Sequence, residues 1–221
     1  MGAEPSATRI VLVRHGESRC NIEGVVGGDR GCTGLTERGV AQVATLAARL
    51  VATGELAGTA ALYASTLPRA IETAEILRPA LEAGGGSLPV RVERDLREID
   101  PGEADAMAWP DVYDRWGPFT LDNDSEPWVP GGEAWRDFTA RVANAVTRVA
   151  DAHPGQLVVI ACHGGVIGGT MARFLPIDPA AGRPDLAPKN ASMTEWERRD
   201  GRWMLQRYND GGEPSAPIAM A

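Results

Sequence analysis

Three short apolar runs restrict the chain more than any other feature: Arg9-Ile-Val-Leu-Val13, Ala60-Ala-Leu-Tyr-Ala64 and Leu157-Val-Val-Ile-Ala161. None alternates polar with apolar, and none reaches helical length, so each reads as a strand covered on both faces. Helical patterns lie between them. Val40, Val43, Leu46, Ala47 and Leu50 recur at helical spacing behind Thr36, an N-cap residue type. Pro68 opens a helix to about Leu81, its fixed φ and missing N–H being tolerated there. Val90–Val92 is a short strand, Glu133–Ala152 a helix ended by His153-Pro154-Gly155, and Gly164–Leu175 the helix after the third run. Ser192–Arg198 and Arg202–Tyr208 flank Asp200-Gly201, a hairpin turn signal. Strands alternating with helices predict a three-layer α/β/α sandwich with a mostly parallel sheet and one antiparallel edge strand. No repeat is present; residues 1–221 are expected to form one domain with flexible ends at about 1–7 and 211–221.

One stretch breaks the alternation. From Asp100 to Gly132, Trp109, Trp116, Phe119 and Trp128 stand among Pro, Gly and Asp with no clear period. A long irregular segment inside a compact domain is characteristically a lid or binding insertion, and 100–132 is assigned that role.

Charge and cysteine usage exclude several function classes. The net charge of −8 argues against nucleic acid and anionic membranes as partners, since both require a basic face. It leaves room for a small anion in a locally positive pocket. Cys20, Cys32 and Cys162 form no CxxC, which points to a reducing, cytoplasmic setting and away from a disulfide framework or structural zinc. No apolar run reaches the roughly 18 residues of a membrane span. No interface pattern stands out from the core helices, so the sequence assigns no oligomeric state.

The chemistry collects at strand ends. His15 follows the first strand and His163 the third, and ligands of open α/β sheets bind in the crevice beyond the carboxyl ends of the strands. Gly16 and Gly164-Gly165 allow close backbone approach. Gly164 opens a helix whose N–H groups and dipole favour an anion. Arg14 adjoins the first histidine, and Arg69 lies just past the second strand. A metal site is the other reading of paired histidines, but the chain has only three, and His153 belongs at the opposite end of its strand. The adjacent arginines would repel a cation, so neither metal nor cofactor is assigned. Guanidinium groups match phosphate oxygens, and a neutral imidazole is a competent nucleophile toward phosphorus. Such a reaction needs a proton donor for the leaving oxygen. Spacing alone leaves Glu98, Asp100, Glu103 and Glu17 in competition for that task.

These residues fall into a known pattern. Leu12-Val-Arg-His-Gly-Glu-Ser18 with Asn21 resembles the signature of the histidine phosphatase superfamily, in its phosphoglycerate-mutase-like branch. The similarity continues through Gly34-Leu-Thr-Glu-Arg-Gly39, Ser65-Thr-Leu-Pro-Arg-Ala70, Leu96-Arg-Glu-Ile-Asp-Pro-Gly102, Pro130-Gly-Gly-Glu133 with Arg141-Val142, Cys162-His-Gly-Gly165 and Asn190-Ala-Ser192. The resemblance implies that His15 attacks phosphorus and becomes phosphohistidine. It implies that Arg14, Arg69 and His163 bind the phosphoryl group, with Asn21 and the Gly164 N–H assisting. Glu98 would protonate the leaving oxygen and later deprotonate water, and no metal would be required.

Ala104-Asp105-Ala106 replaces the Trp-Glu-Gly triplet often found there in the family, leaving the floor of the leaving-group site open to question. Cys162 reads as buried packing and Cys20 as a loop residue without redox role. Mutases of this kind need a large basic lid, whereas this one carries Arg97 and Arg115 against many carboxylates. An acidic, Trp-bearing lid suits a substrate that is bulky or less charged away from its phosphate. The expected activity is therefore hydrolysis of a small phosphorylated metabolite. A bisphosphoglycerate-dependent mutase and a non-catalytic regulator on the same fold are the alternatives.

Overall fold

The computed structural model describes residues 7–83, 85–120, 123–175 and 186–211. In chain order these form β1 (Thr8–Arg14), α1 (Arg19–Glu23), α2 (Glu37–Thr53), β2 (Thr59–Ala64), α3 (Pro68–Glu82), β3 (Val90–Val92), α4 (Trp109–Trp116), α5 (Trp135–Ala152), β4 (Leu157–Cys162), α6 (Gly164–Phe174), β5 (Ser192–Arg199) and β6 (Arg202–Gly211). Single 3₁₀ turns cover Arg94–Leu96 and Gly102–Ala104. The ends expected to be flexible lie outside the described residues, apart from Ala7 and from Gly211, which closes β6.

The six strands are ordered β3-β2-β4-β1-β5-β6. β3, β2, β4 and β1 run parallel, β5 runs against β1, and β6 runs against β5, so the antiparallel element is an edge pair. Alternate side chains of each central strand enter two separate cores, which explains why the runs show no polar alternation. Val11, Val13, Leu62 and Val159 pack under α2 and α3. Ile10, Leu12, Val158 and Ile160 pack under α5 and α6, together with Phe138 and Trp196. The result is the three-layer sandwich.

Helix boundaries follow local chemistry. Thr36 caps α2 by accepting from the Gly39 N–H at 2.9 Å, and Gly54 ends the helix in the left-handed region at φ 64°. Pro68 is the first residue of α3. The hairpin strand runs past Tyr208 to Gly211 because charges tie it to α2: Arg49 binds both Glu55 and Asp210 at 2.8 Å, and Arg207 binds Glu55 at 2.7 Å.

Two elements depart from expectation. The polar loop after β1 contains the short helix α1, and the stretch 100–132 contains α4. Tertiary packing overrides a weak local pattern in the second case: Val112 is buried in a small separate core with Val26, Ala104 and Val129, against which Trp116 and Trp128 lean. Helix α5 begins at Trp135, two residues later than its predicted start.

Ile160 is fully buried at the centre of β4, so Ile160→Ala removes side-chain volume where neighbouring strands cannot collapse inward. The expected loss is about 2–5 kcal/mol of unfolding free energy, read from urea denaturation with an unchanged m-value.

Candidate active site

Strand pairing assembles the site. In the β1–β4 register Arg14 lies opposite Cys162, so the next residues, His15 and His163, leave the sheet side by side. The His15 N–H donates to the Cys162 carbonyl at 2.9 Å, extending the ladder one step past both strands. The two imidazole centroids are 5.3 Å apart with their planes at 60°. Ser65, just beyond β2, donates its N–H to the Ala161 carbonyl at 3.0 Å and joins the same row. Arg69 reaches in from the first turn of α3.

Hydrogen bonds define the state of each ring. His15 Nδ1 lies 2.6 Å from the Gly16 carbonyl, which can only accept, so Nδ1 carries the proton. Nε2 of the neutral ring then keeps its lone pair and accepts from Arg69 Nε at 3.1 Å. Ser65 Oγ accepts from the Leu67 N–H at 3.3 Å and shares a hydrogen bond with His163 Nε2 at 2.7 Å. The other ring nitrogen of His163, Nδ1, is buried and has no partner in the protein. Burial first, then the positive field of Arg69, holds both histidines well below the ordinary imidazole pKa.

The arginines are anchored by carbonyls. Arg69 gives a guanidinium N–H to the Gly27 carbonyl at 2.7 Å, and Arg14 donates to the Pro188 carbonyl. Arg14 Nε is likewise buried, a donor at this site without an acceptor in the protein. Burial lowers the pKa of Arg14, opposed by the nearby Glu98 carboxylate. Asn190 donates from Nδ2 to the His15 carbonyl at 3.0 Å. Asn21, in α1, commits its carbonyl oxygen to the Ser18 N–H and hydroxyl, leaving its NH₂ as the free polar end.

Glu98 meets the helix that follows the second histidine. Its Oε2 accepts from the Gly165 N–H at 2.9 Å and its Oε1 from the Ile99 N–H at 2.9 Å. A Cβ on Gly165 would lie 2.0 Å from Oε1, so only glycine lets the carboxylate approach the helix this closely. Arg141 holds the segment in place by donating to the Asp95 and Arg97 carbonyls at 2.8 and 3.3 Å, and it pairs with Glu133 at 2.6 Å. The competing carboxylates are otherwise engaged. Glu17 takes Thr36 and Arg38, Glu103 takes Arg115, and Asp100 takes Arg97 and the Gly102 N–H.

Arg14, His15, Asn21, Arg69, Glu98 and Gly164 thus line one cavity of about 550 Å³. His163 sits fully buried directly beneath, against His15. His153, by contrast, is at the far end of β4 in a bond with Tyr63, and Cys162 is core packing. Among the described residues no group of three or more His, Cys, Asp or Glu is arranged to hold a metal ion, and no helix is long and apolar enough to cross a membrane.

Several contributors carry no signal that residue type alone would flag. Ser65 hydrogen-bonds with His163 Nε2, and the Pro188 carbonyl holds Arg14. Asp105 accepts from the Gly28, Arg30 and Gly31 N–H groups at 2.8–3.0 Å, fastening the loop whose Gly27 carbonyl anchors Arg69. Ala104, from the same departed triplet, is buried and lines the cavity floor. Cys20 lies in α1, not in a loop, and its thiol hydrogen-bonds with the Ser18 hydroxyl at 3.1 Å; the neighbouring Cys20 thiol holds Cys32 below the ordinary thiol range.

Comparison with known proteins agrees with this geometry. Residues 10–211 match the family model of the histidine phosphatase superfamily (branch 1), and the chain belongs to that family. It is a phosphoric monoester hydrolase in class. Over 216 residues, covering 94% of this chain and 83% of the relative, it is 32% identical to a metal-independent phosphoserine phosphatase of Arabidopsis thaliana. The solved mycobacterial glucosyl-3-phosphoglycerate phosphatase superposes with a TM-score of 0.73 at 26% identity, covering 92% of this chain and 99% of that one. A phosphoglycerate mutase from Bacillus anthracis shares the fold, with a TM-score of 0.76 at 21% identity over 94% and 95% of the two chains.

The two buried neutral histidines couple stability to pH. Unfolded, each binds a proton near pH 6.5, whereas the folded protein resists that proton. The unfolded state therefore binds more protons as pH falls below about 6.5, and folding stability falls with it. Urea unfolding between pH 7.5 and 5 (on the order of one proton per histidine) checks this, and His163→Asn is expected to flatten the slope.

Proposed function

We propose that the protein is a metal-independent phosphomonoesterase that hydrolyses a small phosphorylated metabolite through a phosphohistidine on His15. The observation that carries this reading is the pairing of His15 Nδ1 with the Gly16 carbonyl, which leaves Nε2 unprotonated beside Arg69. Burial keeps the ring neutral, so the nucleophile is available without prior deprotonation. Its phosphorylated form would retain the Nδ1–H bond to Gly16, which holds the ring in one orientation through both half-reactions.

Arg14, Arg69 and His163 are assigned to the three non-bridging oxygens. The unpartnered Arg14 Nε is a donor that an oxyanion would satisfy, and the unpartnered His163 Nδ1 is a second in the tautomer that carries its proton there. Asn21 and the Gly164 N–H add weaker donors. Donors of this kind, aimed at developing charge in a site that excludes water, provide the largest share of stabilisation in such reactions. Glu98 in its acid form protonates the leaving alkoxide as the P–O bond breaks. In the second half-reaction its carboxylate takes a proton from water, whose oxygen attacks phosphorus and releases His15 with inorganic phosphate. The 100–132 segment is assigned as the lid over this site.

Hydrolysis is favoured over phosphoryl return to a second oxygen by the distribution of charge. A mutase substrate carries a second anionic group, yet Arg14 and Arg69 are the only cationic side chains among the described residues lining the cavity. Arg97 pairs with Asp29 and Asp100, and Arg115 with Glu103.

His15→Ala is expected to abolish acid-labile phosphoenzyme and turnover together, checked by rapid quench with labelled substrate. Glu98→Gln is expected to lower kcat for an alkyl phosphate by about 10²–10⁴ and for 4-nitrophenyl phosphate far less, since nitrophenolate needs little protonation. Equal losses on both esters would remove Glu98 from the acid role. Interconversion of phosphoglycerates stimulated by bisphosphoglycerate would replace hydrolase with mutase.

A further inference from the structure

The cavity has two chemically different halves. Its phosphoryl end is built from Arg14, His15, Arg69 and Glu98, whereas the wall facing that end is aromatic: Trp109, Tyr113, Phe119, Trp128 and Trp135. Packing accounts for part of this wall only: Trp128 leans on the small core of the 100–132 segment and Trp135 on the core under α5, whereas Trp109, Tyr113 and Phe119 join neither. That segment has its own core in Val26, Ala104, Val112 and Val129. Helix α4 divides its apolar residues between the two. Val112 and Trp116, one turn apart, serve the small core, while Trp109 and Tyr113, also one turn apart, line the cavity. Trp109, Tyr113 and Phe119 remain 37%, 48% and 42% exposed. Large apolar side chains left open on a concave surface mark a binding surface.

The rings are already ordered for planar contact. Trp109 lies nearly parallel to Trp128, with planes at 16° and centroids 6.5 Å apart, and is stacked on Tyr113 at 5.7 Å. Phe119 meets Trp128 edge-on at 5.6 Å. The indole N–H of Trp128 is buried and has no acceptor in the protein. A hydrogen-bond donor left unmet in an aromatic wall is costly unless a ligand supplies the acceptor. Charge points the same way. The carboxylates Asp100 and Glu133 on the lining are already paired with Arg97 and Arg141, so a second anionic group on the substrate would find no cation of the lining beyond Arg14 and Arg69.

We infer that the substrates are phosphomonoesters of a planar aromatic alcohol that carries no second anionic group, the ring lying against Trp109, Tyr113 and Trp128. This rests on the phosphatase reading and narrows it. A polar atom on that ring within reach of Trp128 Nε1 would complete the donor. The cavity volume of about 550 Å³ accommodates a bicyclic ring together with the phosphoryl group.

The test separates binding from leaving-group chemistry by comparing naphthylmethyl phosphate, ethyl phosphate and 3-phosphoglycerate. The first two both release a primary alkoxide, so a difference between them reports the pocket. The kcat/KM for naphthylmethyl phosphate is expected to exceed that for ethyl phosphate by about 10²-fold, from ring burial and stacking. Trp109→Ala should cut that ratio by about tenfold or more, and Trp109→Phe should restore much of it. Equal or better turnover of ethyl phosphate or 3-phosphoglycerate overturns the inference and leaves the phosphatase reading standing. Calorimetric binding of naphthylmethyl phosphonate tighter than ethyl phosphonate supports the aromatic site even if neither ester is hydrolysed, an outcome that would instead sink the phosphatase reading.

Discussion

The parallel pairing of β1 with β4 is the constraint on which the site depends. Backbone hydrogen bonds in register carry Arg14 opposite Cys162, and a further bond from His15 to Cys162 continues that register off the end of the sheet. Two imidazoles from residues 148 positions apart are thereby delivered to within 5.3 Å of each other. Ser65 arrives by the same mechanism from β2, and Arg69 by the helix that β2 leads into. A register slip of one residue between β1 and β4 would put His15 and His163 out of step and move the buried strand side chains to the opposite face.

The sheet delivers the groups, but their electrostatic state comes from burial. Arg69 is nearly inaccessible, and both site histidines are buried, yet no carboxylate neutralises Arg69 through a direct ion pair among the described contacts. Carbonyl oxygens of Gly27 and Pro188 hold the guanidinium groups in place without cancelling their charge. A positive field held next to neutral imidazoles favours a dianion. Loops maintain it: Asp105 ties down the strand of chain that bears Gly27, and Arg141 with Glu133 does the same for the segment bearing Glu98.

Most of the framework was legible in the residues. The three uninterrupted apolar runs became the three central strands, because strands buried on both faces cannot carry a polar period. Thr36, Pro68 and Asp200-Gly201 marked element boundaries through local backbone chemistry that packing does not alter. α1 and α4 were not legible. One is 5 residues long, and the other is 8 residues with Pro110 in its first turn, so neither offers enough turns for a period to emerge. At the site, His15, His163, Arg14 and Arg69 could be read because each adjoins the end of a recognisable element. Glu98 could not be separated from its acidic neighbours by spacing alone, since all lie in irregular chain.

Sequence by itself determined the layer architecture and the set of groups that converge on the sheet's carboxyl edge, because periodicity and strand ends are local properties. Only the tertiary structure decided how the Glu98 carboxylate is seated on the helix after the second histidine, which partners each site nitrogen has, and what encloses the remainder of the cavity. These depend on contacts such as Glu98 to Gly165, Ser65 to His163 and Trp109 to Trp128, between segments distant in the chain. Such contacts are selected by shape and desolvation once the layers have closed, and residue order alone does not encode them in any short pattern.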